Sequence, residues 1–198
     1  MTAASETEPR PSGDCVPADR SSGGVLPSVV FLVGYRGTGK STVARHLARR
    51  LGWGWVDADA VLEERFGRSI RQIFADEGEA GFRAKEAAVL HDLVALSRHV
   101  VATGGGVVLR SENRELLRRG WVVWLTADPD TIERRLSGDA ATAERRPNLT
   151  VGGRAEIETL LRLREPLYRE VAHLTVDTVG RPPDEIAEAI LREMKRFA

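Results

Sequence analysis

Residues Gly34 to Ser41 read GYRGTGKS, three glycines spaced ahead of a lysine and a hydroxyl. This is the spacing of a phosphate-binding loop, in which consecutive backbone N–H groups turn onto an anion and the positive end of the next helix dipole favours it. Gly37, Thr38, Gly39, Lys40, Ser41 and Thr42 are therefore expected to hold the phosphates of a nucleoside triphosphate. Lys40 would bring a mobile charge to the outer phosphates, and the Ser41 hydroxyl suits Mg²⁺. The pattern leaves several positions free, and a plain glycine turn without a ligand is the alternative. Context decides against that. An apolar, β-branched run from Val29 precedes the loop, and Val43, Leu47 and Leu51 recur at helical spacing after it.

Three further groups could do chemistry beside such a loop. Asp57 and Asp59 follow the short strand candidate Trp53 to Val56. They could do different jobs, one toward a metal shell and the other toward a substrate hydroxyl and its proton. The plain alternative is that one of them caps the following helix. Gly104, Gly105 and Gly106 close another strand candidate and leave room for a ligand against the backbone. Arg83 and Arg164 carry guanidinium forks that match a carboxylate. For Arg83, a surface ion pair with Glu86 three residues on is the competing account. Arg145 and Arg146 stand just before Pro147, in a polar stretch where a closing flap would bring a guanidinium onto a transferring phosphate.

The elements that position these groups alternate. Strand candidates lie at the run from Val29, at Trp53 to Val56, His99 to Ala102, Trp121 to Thr126 and Leu174 to Val176. Between them fall helical stretches: one to Leu51, one capped by Ser69 with Gln72 in a capping box, Glu79 to Leu96, Glu112 to Arg119, and one opened by Asp128 and Pro129. A further helix from Ala155 meets Pro166, where an interruption or kink is expected, and an amphipathic helix over Pro183 to Phe197 ends the chain. The alternation predicts a three-layer α/β/α fold around a central five-stranded parallel sheet with right-handed crossovers. Ligands should gather at the carboxyl ends of the strands. Residues 28–198 are read as one domain with a lid over approximately 137–154, and residues 1–27 as a disordered tail.

Composition narrows the partners. Lys plus Arg and Asp plus Glu number 29 each in 198 residues, so no global basic field favours nucleic acid or a membrane surface. A single cysteine excludes an intrachain disulfide and every multi-cysteine metal site. The tail lacks the apolar core of a signal peptide, and a reducing cytoplasm fits. His46, His91, His99 and His173 show no metal-ligand spacing. Trp53, Trp55, Trp121 and Trp124 flank or occupy strands, where burial accounts for them.

The motifs taken together, phosphate loop, DAD, FRAKE, GGG, RPNL and REPLY, occur in the order seen in shikimate kinases, and the resemblance runs from Val29 to the C-terminus. It implies a nucleoside monophosphate kinase-like fold and transfer of the ATP γ-phosphoryl group to the 3-hydroxyl of shikimate. Mg²⁺ is implied as cofactor, and a cytoplasmic monomer without nucleic-acid or membrane partners as the setting. Carried onto this chain, Lys40 would bind the outer phosphates, and Ser41 with Asp57 the metal. Asp59 would orient, and in one reading deprotonate, the hydroxyl. Arg83, Arg164 and the Gly104 to Gly106 backbone would hold the acceptor. Arg146, with Arg145 beside it as the alternative, would be the lid arginine, and Arg135 and Arg181 would face adenine. The family commonly reads RPLL where this chain has Asn148 and Leu149 after Pro147. Two rivals share the loop. One is a gluconate kinase-like enzyme, disfavoured by FRAKE, GGG and REPLY together. The other is a silent nucleotide-sensing module, which would be expected to have lost one of Lys40, Asp59, Arg83 or Arg164.

Overall fold

The computed structural model describes residues 27–138 and 153–197. The expected tail before Pro27 and the central part of the expected lid, with Arg145, Arg146 and Pro147, lie outside the described residues. Five strands, β1 (Val29–Val33), β2 (Gly54–Asp57), β3 (His99–Ala102), β4 (Trp121–Thr126) and β5 (Leu174–Asp177), form one sheet in the order β2-β3-β1-β4-β5. All four pairings are parallel. The register sets Asp57 beside Ala102 and Thr126 beside Asp177, so the strands end on one level.

β1 shows why the fold has three layers. All five of its residues are buried, but they belong to two separate cores. Val29, Phe31 and Val33 pack with residues of α2 (Ala58–Phe66), α3 (Ile70–Leu93), α4 (Ser111–Leu117) and α6 (Gly153–Val171). Val30 and Leu32 pack on the other face with Val43, Ala44 and Leu47 of α1 (Lys40–Leu51) and Ile186 and Ile190 of α7 (Pro183–Phe197). A parallel strand covered on both faces must be apolar at every position, since successive side chains point to opposite sides. Among the described residues α5 (Pro129–Ser137) completes the helices, and a 3-10 turn at Val107–Leu109 follows the glycine triplet.

Several boundaries differ from the sequence expectations for local reasons. β2 begins at Gly54 rather than Trp53 and takes in Asp57, because its ladder with β3 continues to that residue. The two expected helical stretches after Ser69 form α3, a run broken by Gly78 at φ 68 and ψ −172 and ended at Leu93 rather than Leu96. Helix α4 begins at Ser111 and stops at Leu117, two residues short of expectation. Pro166 does not interrupt α6, which continues to Val171. Pro166 and Arg162 are both exposed, so the helical carbonyl freed by proline faces solvent. Trp121 and Trp124 are buried as expected, but Trp55 on edge strand β2 is 41% exposed, with the Arg45 guanidinium 5.8 Å from its ring centre. The His173 ring accepts the Val122 N–H at 3.0 Å, and burial pushes its pKa below the ordinary histidine value.

The capping box is complete. Ser69 Oγ accepts the Gln72 N–H at 3.2 Å and Gln72 Oε1 accepts the Ser69 N–H at 2.8 Å. Ser69→Ala is expected to cost about 1 kcal/mol and to lower the melting temperature by roughly 2–4 °C, read by calorimetry.

Candidate active site

The phosphate loop leaves β1 at Gly34, whose φ of 139° and close packing admit no side chain. A Cβ there would lie 2.4 Å from the Leu125 carbonyl oxygen of β4. The loop closes on itself through the Tyr35 carbonyl, which accepts Thr38 N–H at 3.3 Å, Thr38 Oγ1 at 2.8 Å and Lys40 Nζ at 2.7 Å. The loop then opens into α1, which begins at Lys40. The N-terminal N–H groups and the positive helix end face the anion position.

A cavity of about 490 Å³ lies over this loop. The loop residues Gly37 to Thr42 line it, together with Asp57, Asp59, Gly105, Arg135 and Arg181. Ser41 Oγ donates to Asp57 Oδ2 at 2.5 Å, and Asp57 Oδ1 accepts the Asp59 N–H at 3.0 Å. The acidic pair stands at a strand-to-helix junction. Asp57 is the last residue of β2 and the N-cap of α2, and Asp59 already belongs to the first helical turn. The capping role falls to Asp57, which still turns its second oxygen to Ser41. Two hard oxygens so placed beside the phosphate loop suit Mg²⁺.

Behind Gly105 lie the residues expected to meet an acceptor. Thr103 ties the triplet to β1, its N–H and hydroxyl both reaching the Leu32 carbonyl, at 3.1 and 3.0 Å. A Cβ on Gly105 would stand 3.3 Å from the Arg36 nitrogen, so the triplet lies against the phosphate loop. The Gly105 carbonyl accepts Arg164 Nη1 at 3.2 Å and the Tyr168 hydroxyl. Arg164 is 5% exposed and has no carboxylate partner among the described residues. Arg83 differs. It is 7% exposed, and its guanidinium pairs with Glu86 at 2.7 Å and Glu79 at 3.1 Å. The Arg83–Glu86 pair is thus buried, not the surface pair of the plain reading. The Arg83 guanidinium fills the place of a Gly106 side chain, since a Cβ there would meet both terminal nitrogens at 2.3 Å. Gly104 is buried at the head of the same turn and accepts the Val107 N–H at 3.2 Å.

Arg135 binds Thr178 Oγ1 at 3.0 Å, the Thr178 carbonyl at 2.8 Å and the Gly37 carbonyl at 3.2 Å. It bridges the phosphate loop to the turn before α7. Arg181 binds the Asp177 carbonyl at 3.2 Å. The sequence reading missed Arg36 and Glu156. Arg36 Nη2 pairs at 3.2 Å with Glu156 Oε1, a buried carboxylate in the first turn of α6. The partners lie 120 residues apart, and no local pattern announces the pair.

The crevice brings together the phosphate loop, the Ser41–Asp57 oxygen pair and a buried guanidinium with no carboxylate partner among the described residues. The shikimate kinase family model matches residues 36–195. The chain belongs to the shikimate kinase family. The shikimate kinase of Rhodopirellula baltica is 47% identical over 170 residues, covering 85% of this chain and 91% of that protein. That of Nitrosococcus oceani is 45% identical over 170 residues, covering 85% and 87%. Among solved structures, the shikimate kinase from Acinetobacter baumannii in complex with shikimate is similar with a TM-score of 0.79 and 40% identity, covering 84% of this chain and 92% of that one.

Gly106→Ala should displace the Arg83 guanidinium. In a shikimate kinase with this geometry the KM for the acceptor is expected to rise roughly tenfold or more, with the KM for ATP near wild type. Steady-state kinetics with each substrate varied in turn reads the difference.

Proposed function

We propose that this chain transfers the γ-phosphoryl group of ATP to the 3-hydroxyl of shikimate, giving shikimate 3-phosphate and ADP, with the residues of the crevice in the following roles. The observation that carries the assignment is Arg164, a buried guanidinium without a carboxylate partner among the described residues. An acceptor bearing a carboxylate supplies the missing charge, and a fork-to-fork pair fixes its orientation. Arg83, already framed by Glu79 and Glu86, offers the second contact to the same carboxylate, and the Gly104 to Gly106 backbone lies along the ring hydroxyls.

On the nucleotide side, the loop amides and Lys40 hold the β- and γ-phosphates. Ser41 and Asp57 would hold Mg²⁺, which when bound neutralises phosphate charge. Asp59 accepts the hydrogen bond of the attacking hydroxyl and takes its proton as the new P–O bond forms and the bond to the β-phosphate oxygen breaks. Arg135 and Arg181 flank the adenine. Arg146, outside the described residues, is assigned to the transferring phosphate on the RPNL motif. Positioning and charge stabilisation are most of what phosphoryl transfer requires of a protein. The proposed setting is a cytoplasmic monomer, as the family resemblance implies. Among the described residues no helix is long and apolar enough to cross a membrane.

A coupled ADP-release assay with Mg²⁺-ATP, comparing shikimate with quinate and gluconate against a no-acceptor blank, tests the activity. Turnover with gluconate and none with shikimate would reject the assignment. Arg164→Ala is expected to raise the shikimate KM roughly 10- to 100-fold, leaving ATP binding unchanged, and equal losses for both ligands would count against its role. Asp59→Asn is expected to lower kcat roughly 10²- to 10⁴-fold with nucleotide affinity retained, measured by titration calorimetry alongside turnover.

A further inference from the structure

Tyr35 is the second residue of the phosphate loop, yet its side chain is 1% exposed and joins an apolar cluster with Ile132 of α5 and Ile157 of α6. Two guanidinium groups approach the ring, with Arg164 Cζ 5.8 Å and Arg36 Cζ 5.9 Å from its centre. The Tyr35 hydroxyl has no hydrogen-bond partner among the described residues. An orphaned buried hydroxyl is destabilising, so what this position contributes is the aromatic face.

The two arginines differ in their need for that face. Arg36 is held independently by Glu156. Arg164 has five N–H donors on a long, flexible stem. Among the described residues its guanidinium has one hydrogen bond, to the Gly105 carbonyl. One such bond leaves the plane of the fork free to rotate about it. A π face sets that plane, and the cation–π attraction is strongest where water is excluded.

We propose that Tyr35 is a positioning residue for the acceptor carboxylate. It acts through Arg164, with the ring face rather than the hydroxyl fixing the guanidinium for bidentate contact. One residue of the nucleotide loop thereby orients the group that grips the other substrate. Its carbonyl meanwhile holds Lys40. The proposal rests on the assignment of Arg164 to the shikimate carboxylate.

The test is steady-state kinetics on Tyr35→Leu, which fills the same apolar cluster without a π face, and on Tyr35→Phe, which removes only the hydroxyl. Tyr35→Leu is expected to raise the shikimate KM about threefold to thirtyfold, with the ATP KM close to wild type and the melting temperature lowered by the loss of buried ring volume. Tyr35→Phe restores the wild-type shikimate KM. On an Arg164→Ala background Tyr35→Leu adds no further loss, because its effect passes through the missing guanidinium. Should Tyr35→Leu fold poorly, Tyr35→Met carries the same comparison. An unchanged shikimate KM in the folded aliphatic variant, while Arg164→Ala raises it, overturns the proposal alone. Equal losses for ATP and shikimate, or a Phe variant as impaired as Leu, also overturn it. An unchanged shikimate KM in Arg164→Ala itself removes the underlying assignment and the proposal together.

Discussion

Positive charge buried ahead of its anion is the condition on which the crevice is built. Arg164 and Lys40 sit within the protein where water solvates them poorly, and a buried charge is costly unless something answers it. Carbonyl oxygens and an aromatic face give part of the answer: Gly105 and the Tyr35 ring for Arg164, the Tyr35 carbonyl for Lys40. Neutral dipoles stabilise the Arg164 cation without cancelling it, so its electrostatic pull on an incoming carboxylate survives folding. Arg36 and Arg83, in contrast, are each bound to a buried glutamate.

The sheet makes this arrangement possible by ending its strands on one level. The phosphate loop follows β1, the glycine triplet follows β3, and Asp57 ends β2. Because β3 lies beside β1 and β2 beside β3, the three strand ends converge. The glycines let the backbones touch. Gly34 packs on β4, Gly105 on the phosphate loop and Gly106 on a guanidinium. The approach at Gly105 removes a side chain that would otherwise stand between the triplet and the phosphate loop.

Much of this was legible in the sequence where the signal is local. The phosphate loop, the capping box at Ser69 and the Asp128–Pro129 helix start are short patterns whose geometry is set by neighbouring residues, and the structure reproduces them. The buried strands β1 and β4 were visible as unbroken apolar runs. What the sequence hid depends on partners far along the chain. Glu156 against Arg36, the Arg83 guanidinium against Gly106 and the Tyr35 ring against Arg164 all join residues that no periodicity connects. The end of β2 was expected at Val56, one residue early, because the ladder with β3 that carries the strand to Asp57 depends on a partner far along the chain. Trp55 was misread because an edge strand has one neighbour and leaves part of its surface to solvent.

The bond from Lys40 to the Tyr35 carbonyl bears on how the loop meets an anion. An ammonium has three N–H donors, and one of them is engaged at 2.7 Å with the backbone five residues earlier. The charge is tethered to the loop it serves, so the long lysine stem loses part of its rotational freedom during folding and not at the encounter. An anion then meets a group already in place, and the loop behaves as a preformed receptor.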